Sequence, residues 1–290
     1  MAEFLQFIFS GVTVGATYAL VGLGFSLIYN SSNVINFAQG EFVMIGGMTT
    51  VFLVAAGVPM PLAIFLAVAL GGLVGCVLEK LAVEPARNAS VVTLIIITIG
   101  GSIALRGLAS VIWDKKFHAL PPFSGEAPIV IGGATILPQS LWVLGVTVAI
   151  VVALRYFFGA TLLGKAMLAT AHNRMAAELV GISVRRILML SYGLSAMLGA
   201  IAGILTAPIT LTSFDIGIMI GLKGFCAAII GGLGNGMGAI AGGLLLGIVE
   251  ALGAGYVSSA YKDAIAFVVI LLTLFFLPRG LFGTRGTERV

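Results

Sequence analysis

The chain is organised as long apolar runs separated by short polar stretches, and within the runs the residues do not alternate. A stretch such as VVTLIIITIGG, residues 91–101, has no charged position on any face. A membrane-spanning helix needs roughly 20 consecutive apolar residues, whereas a barrel strand alternates apolar and polar positions. An open sheet would leave backbone groups unpaired in hydrocarbon. The pattern therefore predicts an all-α, polytopic transmembrane helical bundle. Nine candidate segments follow: 5–29, 33–57, 61–79, 89–112, 139–158, 187–208, 217–235, 237–257 and 263–278. The stretches at 33–57 and 217–243 are punctuated by glycine and polar residues and read as broken or half-spanning helices, which puts the count of full spans at about eight or nine. The whole of 1–290 reads as one transmembrane domain.

Composition removes the soluble alternative. The chain is 60% hydrophobic and 9% charged, with a mean hydropathy of +1.17. Soluble domains carry about 25% charged residues, and so few charges cannot wet a chain of this length. Many of the 40 glycines fall in the apolar runs, as in GGLVG (71–75) and GAIAGGLLLG (238–247). Lipid gives helices no hydrophobic drive to associate, so small residues that allow close backbone approach hold such bundles together. Cys76 and Cys226 lie inside apolar runs, show no disulfide or metal spacing, and read as small buried hydrophobes. The first nine residues, MAEFLQFIF, lack a basic n-region, so the first run reads as a retained span.

Charge sets the orientation. If all nine segments cross, one set of loops holds Lys80, Arg87, Lys165, Arg174, Arg185 and Arg186, together with Arg279, Arg285 and Arg289 in the tail. The other set holds only Lys115, Lys116 and Lys262. Cytoplasmic loops are enriched in lysine and arginine, which puts the N-terminus outside and the C-terminus in the cytoplasm. The same bias accounts for a pI near 9.2 without a nucleic-acid partner. Residues 113–138 become the long outer loop, rich in proline and glycine, where short strands or a small cap are expected. Residues 159–187 become the long cytoplasmic loop; it is rich in helix formers and lacks proline, and an interfacial helix pair is expected there, stopping at Gly181.

Candidate chemistry is sparse. His118 and His172 fall in opposite loops, and no HExxH, GxSxG or paired-carboxylate motif is present. The glycine-rich stretch GGLGNGMG (231–238) lacks the lysine and hydroxyl residue of an ATP-binding loop. The sequence therefore implies no catalytic residues, no metal and no cofactor. What remains is charge at membrane depth, which costs about 2.5–3.5 kcal/mol per group on insertion scales. Glu41, Arg106, Lys223 and Glu250 are in this position. Snorkelling or structural ion pairs suffice for Arg106 and Glu250. Glu41 and Lys223 sit beside glycines able to break a helix, where backbone can line a cavity. Charge alone pairs Glu41 with Lys223. The cytoplasmic loop carries AHNRMAAELVGIS (171–183), which reads equally as a docking surface for a partner or as an amphipathic helix on anionic lipid.

Four stretches together carry a resemblance: YALVGLGFSLIYNSSNVINFAQGEFVMIGG (18–47), AHNRMAAELVGIS (171–183), GLKGFCAAIIGGLGNGMGAIAGGLLLGIVE (221–250) and LPRGLFG (277–283). In that order and spacing the chain resembles the membrane-spanning permease subunits of ATP-binding-cassette importers for branched-chain amino acids, in the shorter of their two paired forms. The resemblance covers essentially the whole chain. It implies a multi-pass subunit of the bacterial inner membrane that pairs with a second homologous permease. Two cytoplasmic ATPases would dock below, and an extracytoplasmic substrate-binding protein would deliver from above. ATP hydrolysis would belong to the partners, and transport would proceed by alternating access.

The resemblance also implies site residues. Asn33, Asn36, Gln39, Gly40 and Glu41 match the family's polar stretch beside the translocation pathway, with Lys223 and Gly224 added from the later glycine-rich segment. Many family members carry histidine where this chain has Gln39. Arg174, Ala176, Ala177, Glu178, Gly181 and Ile182 match the segment that couples to the ATPases. The alternatives are a permease of the same importer family for urea or short amides, a stand-alone ion-coupled carrier, or a passive channel.

Overall fold

A computed structural model describes residues 2–125 and 127–283. Each of the nine apolar segments forms a helix. The first, α1 (Ala2–Ser32), runs through the centre of the bundle; its 31 residues span about 46 Å at about 1.5 Å per residue. Its N-terminal end carries Gln6, which accepts from the Thr135 backbone N–H at 2.7 Å and donates to the Thr135 carbonyl at 3.0 Å. Its C-terminal end carries Asn30, donating to Gly234 O at 2.7 Å, and Ser31, whose carbonyl accepts from Arg174 at 2.6 Å. One helix thus fixes which loops share an end of the molecule. The 113–138 stretch lies at one end and the 159–187 stretch at the other.

The remaining spans are α3 (Met60–Leu78), α4 (Val91–Ile112), α5 (Pro138–Ala160), α8 (Val184–Thr210), α10 (Gly236–Tyr256) and α11 (Lys262–Phe276). Together with α1, and with α3 continued to Ala86 and α11 begun at Ser259 by short flanking turns, they make seven helical stretches of at least 18 residues that are apolar enough to cross a membrane. The two shorter apolar helices are α2 (Gln39–Ala55) and α9 (Ile216–Gly231). At 17 and 16 residues they reach about 25 Å, short of a hydrocarbon core of about 30 Å. These are the two segments in which glycine and polar residues predicted half-spans. The second begins six residues later than its apolar run, because 33–38 is non-helical.

Small residues set the helix contacts. A methyl group on Gly15 would fall 2.8 Å from Gly243 O, and one on Gly11 would fall 2.7 Å from Ile248 Cα. The α1–α10 crossing therefore exists only because these positions lack side chains. GGLVG does the same for α3 on α8, where a Cβ on Gly71 would lie 2.8 Å from the Ala200 methyl. Around this glycine-packed centre, α4, α5 and α11 turn apolar residues outward, among them Val111, Val152 and Phe275. In water this exposure would be costly. Against lipid tails it costs nothing, because the tails are as apolar as the side chains.

The 113–138 stretch contains the expected strands, β1 (Ile129–Ile131) and β2 (Ala134–Ile136), antiparallel through Gly132 and Gly133, both at positive φ. His118 and Thr212 exchange backbone hydrogen bonds of 2.8 Å each, tying this region to the α8–α9 connection. At the other end, α6 (Leu162–His172) and α7 (Arg174–Leu179) form the expected helix pair. The tail docks at the same end: Leu281 N donates to Ile230 O at 2.8 Å and Phe282 N to Gly231 O at 3.1 Å. The described N- and C-terminal ends thus lie at opposite ends of the bundle, as an odd number of crossings requires. Arg285 and Arg289 lie outside the described residues. Both cysteines are free.

Candidate translocation and coupling sites

The polar stretch at 33–41 is a helix break built residue by residue. Asn33 ends α1 in a left-handed conformation, φ 54°, which asparagine tolerates better than most residues. Asn36 is buried and its Oδ1 accepts the Ala38 N–H at 3.1 Å, a side-chain turn that starts α2. The Phe37 N–H, left free by the break, donates to Thr98 Oγ1 of α4 at 3.2 Å. Gln39 is fully buried: its amide donates to Ser195 O at 3.0 Å, and its Oε1 accepts from Ser195 Oγ at 2.7 Å. Asn33 and Asn36 thus shape the break, and Gln39 locks it to α8.

Gly40 marks where the two short helices meet. A Cβ on Gly221 would fall 2.8 Å from Gly40 Cα, so α2 and α9 cross near their first turns. Each helix N-terminus carries about half a positive charge, and the two fields coincide at this crossing. Glu41, in the first turn of α2, is only 2% exposed. Its Oε1 accepts from Ser102 Oγ at 2.7 Å and lies 3.8 Å from Arg106 Nε. Its Oε2 is buried and has no hydrogen-bond partner among the described residues. Ser102 sits halfway along α4, so this cluster lies deep in the bundle.

Glu41 opens onto a cavity of about 160 Å³, walled by residues of α1, α2, α4 and α9 with the 33–38 break. Phe25, Phe37 and Phe225 form one wall, with ring centroids 5.5 Å apart for Phe25–Phe225 and 5.4 Å for Phe37–Phe225. A larger cavity of about 530 Å³ lies at the α6 end between α1, α5, α6 and α10; none of the candidate pathway residues lines it.

Lys223 does not pair with Glu41, contrary to the expectation from charge. It leaves the other side of α9 and meets Glu250 Oε1 at 2.8 Å and Asp263 Oδ1 at 2.6 Å. Lys262 reaches the same Glu250 oxygen at 3.4 Å, and Tyr18 donates to its Oε2 at 3.0 Å. Two cations and two carboxylates thus form a neutral cluster joining α9, α10 and α11, buried at Lys223 and Glu250 and exposed at Lys262 and Asp263. The next residue, Gly224, lies against Val21 and Gly22 of α1. The structure therefore separates Asn33, Asn36, Gln39, Gly40 and Glu41 from Lys223 and Gly224.

The α6–α7 loop is ordered by local signals. Asn173 caps α7, its Oδ1 accepting the Ala176 N–H at 3.0 Å. At the far end Ile182 N donates to Ala177 O at 2.9 Å and Gly181 N to Glu178 O at 3.0 Å, with Gly181 at φ 87°. This is the Schellman closure that a glycine permits. Arg174 ties the root to α1 through Ser31 O, and partial burial pulls its pKa below the usual arginine value. Arg185 pairs with Glu84 beyond α3. Ala177 is buried, while Glu178 and Gly181 are exposed. Met175, Leu179 and Val180 project with 74%, 84% and 76% of their surface exposed.

Sequence reasoning missed Ser102, Ser195, Tyr18, Asp263 and the phenylalanine wall. Ser102 carried a signal, since it lies four residues before Arg106 and shares its helix face. The others carried none, because they join through tertiary contacts alone.

The family described as "Branched-chain amino acid transport system / permease component" matches residues 7–274. The chain belongs to this family. This permease is 34% identical to the high-affinity branched-chain amino acid transport system permease protein LivH of Escherichia coli K12, over 99% of this chain and 98% of that protein. It is 33% identical to BraD of Pseudomonas aeruginosa, again over 99% and 98%. It is also 25% identical to the ribose import permease protein RbsC of Escherichia coli K12, over 88% of this chain and 80% of that protein. Among solved structures, PsaBC from Streptococcus pneumoniae in complex with Fab shares the fold, with a TM-score of 0.50 at 16% identity over 96% of this chain and 93% of that one. The permease is thus a multi-pass membrane component of an ATP-binding-cassette transporter for branched-chain amino acids, and is not itself an ATPase. The stand-alone carrier and passive-channel readings fall with that membership.

Proposed function

We propose that the permease forms half of the translocation pathway of an importer, paired with a second homologous permease above two ATPases and fed by an extracytoplasmic binding protein. The end carrying α6, α7 and the tail faces the cytoplasm, and the end carrying the β-hairpin faces outward. Nine lysines and arginines against three support this orientation. Alternating access follows from ATPase closure pulling on α7. Switching a population from 1:99 to 99:1 takes about 5.5 kcal/mol of differential binding, within reach of nucleotide-driven closure.

The observation that carries this reading is the form of α7. Its tip exposes Met175, Leu179 and Val180 while its root is tied to α1 by Arg174 and closed by Gly181. An apolar tip on a tethered helix suits insertion into a groove of a partner protein. Arg174, Ala176, Ala177, Glu178, Gly181 and Ile182 are then the coupling residues, with Ala177 and Ile182 closing the helix that presents the tip. The test replaces Glu178 with Lys or Gly181 with Trp in the assembled transporter. Loss of substrate-stimulated ATP hydrolysis together with uptake is expected; unchanged uptake and hydrolysis in both variants would remove the coupling assignment.

A further inference from the structure

The cavity beside Glu41 combines features that a packed membrane interior does not need. A single water requires roughly 10–15 Å³ of such volume, and this cavity holds about 160 Å³. Its lining includes a buried carboxylate with one oxygen, Oε2, unpartnered among the described residues. Beside it stands Arg106, a quarter exposed, whose only ion pair among the described residues is the long 3.8 Å contact to the other oxygen. The same cavity is lined by the adjoining rings of Phe25, Phe37 and Phe225. The rim opens on the flank of the bundle past Ile99 and Ile218, both substantially exposed.

We propose that this cavity is a transient binding site for a zwitterionic amino acid, with Glu41 receiving the ammonium group, Arg106 the carboxylate, and the three phenylalanines the apolar side chain. The inference rests on the importer reading above and adds to it a site of chemical recognition within this chain. The charges argue for the class. Glu41 and Arg106 sum to zero, so a net-neutral zwitterion enters without an uncompensated charge, whereas a net-charged ligand would leave one at depth. The Glu41–Arg106 contact is loose enough to be divided between the two ends of a ligand. Ser102 fixes Oε1 and so leaves Oε2 as the oxygen that turns to the ligand.

The test reads leucine moved per ATP hydrolysed by the assembled transporter in liposomes with its binding protein. In Glu41→Gln and in Arg106→Gln the ratio falls about tenfold, the loss expected for a hydrogen bond to a charged group, while stimulated hydrolysis persists. Glu41→Asp keeps part of the ratio. Arg106→Gln guards against misfolding because its side chain is partly exposed. A ratio unchanged from wild type in both Gln variants overturns the site, whether uptake and hydrolysis stay level or fall together. If the wild-type transporter moves leucine without ATP, the importer reading has failed instead, and that arm is read first.

Discussion

Lys223 and Glu250 meet at 2.8 Å between α9 and α10, and the pairing takes both charges away from Glu41 on the opposite side of α9. The two ionic clusters therefore have separate partners and separate consequences. Removing Lys223 leaves buried Glu250 with only the longer Lys262 contact and the Tyr18 hydroxyl, and losing one member of a buried pair costs up to about 3–5 kcal/mol. Lys223→Met is expected to lower the stability of the detergent-solubilised protein by that order, read from thermal unfolding. Adding Glu250→Leu should recover most of the loss. A double variant no better than the single one would show that the cost lies in packing.

The α2–α8 contact is closed by backbone against backbone. A Cβ on Gly46 would run into the Ala200 carbonyl, and one on Gly203 into Val43 O. Neither obstacle is a flexible side-chain end. Gly46→Val is expected to cost about 1–3 kcal/mol or more by overpacking and to reduce the yield of monodisperse protein. Gly100→Ala meets open space and should leave that yield unchanged.

Gln39 contributes to stability through Ser195. Gln39→Ala removes both of its hydrogen bonds to that residue and opens a cavity in a fully buried site. A loss of about 2–4 kcal/mol is expected, again read from thermal unfolding. Ser195→Ala should cost less, since the Gln39 amide donates to the Ser195 main-chain carbonyl, which that change retains.

Arg174 ties α7 to α1 by one charge-assisted hydrogen bond to Ser31 O, the link through which the proposed coupling would act. Arg174→Ala is expected to reduce coupled uptake about tenfold, matching the loss of such a bond. The thermal midpoint of the bundle should hardly move. Arg174→Lys should restore little, because the longer-reaching planar fork is lost.

In the 113–138 stretch Asp114 sits on an exposed turn, where the His118 side-chain hydrogen bond, followed by the Lys116 N–H, holds its carboxyl below the usual carboxylate range. A carboxyl with a depressed folded pKa stabilises fully above its unfolded value of about 3.9, and that contribution fades as pH falls through the folded pKa. The turn should be unchanged from pH 7 to 5 and loosen below about pH 4. Trp113 fluorescence in a Trp142→Phe background measures this, and Asp114→Asn should abolish the transition.

Much of the fold was legible in the chain. Nine apolar runs gave nine helices, and the two runs punctuated by glycine and polar residues gave the two short ones. The stop at Gly181 followed from a local rule, as did the strands of the 113–138 stretch. These features depend on contacts within a few residues or on the length needed to cross lipid, and both are written in linear order.

The partners of buried polar groups were not legible. Helices such as α2 and α9 are apolar nearly all round, so hydrophobicity does not mark which face turns inward. Glu41 could have met Lys223 as far as charge alone decides; only the way α9 rotates between α2 and α10 sends the two side chains to different clusters. The sequence by itself determined the membrane class, the number of helical segments, the position of the helix break and the helix stop at Gly181. Tertiary structure decided that Gln39 bonds Ser195, that Lys223 bonds Glu250, and that Phe25, Phe37 and Phe225 line one cavity with Glu41, because those contacts depend on helix rotation and depth, which small-residue packing sets in three dimensions.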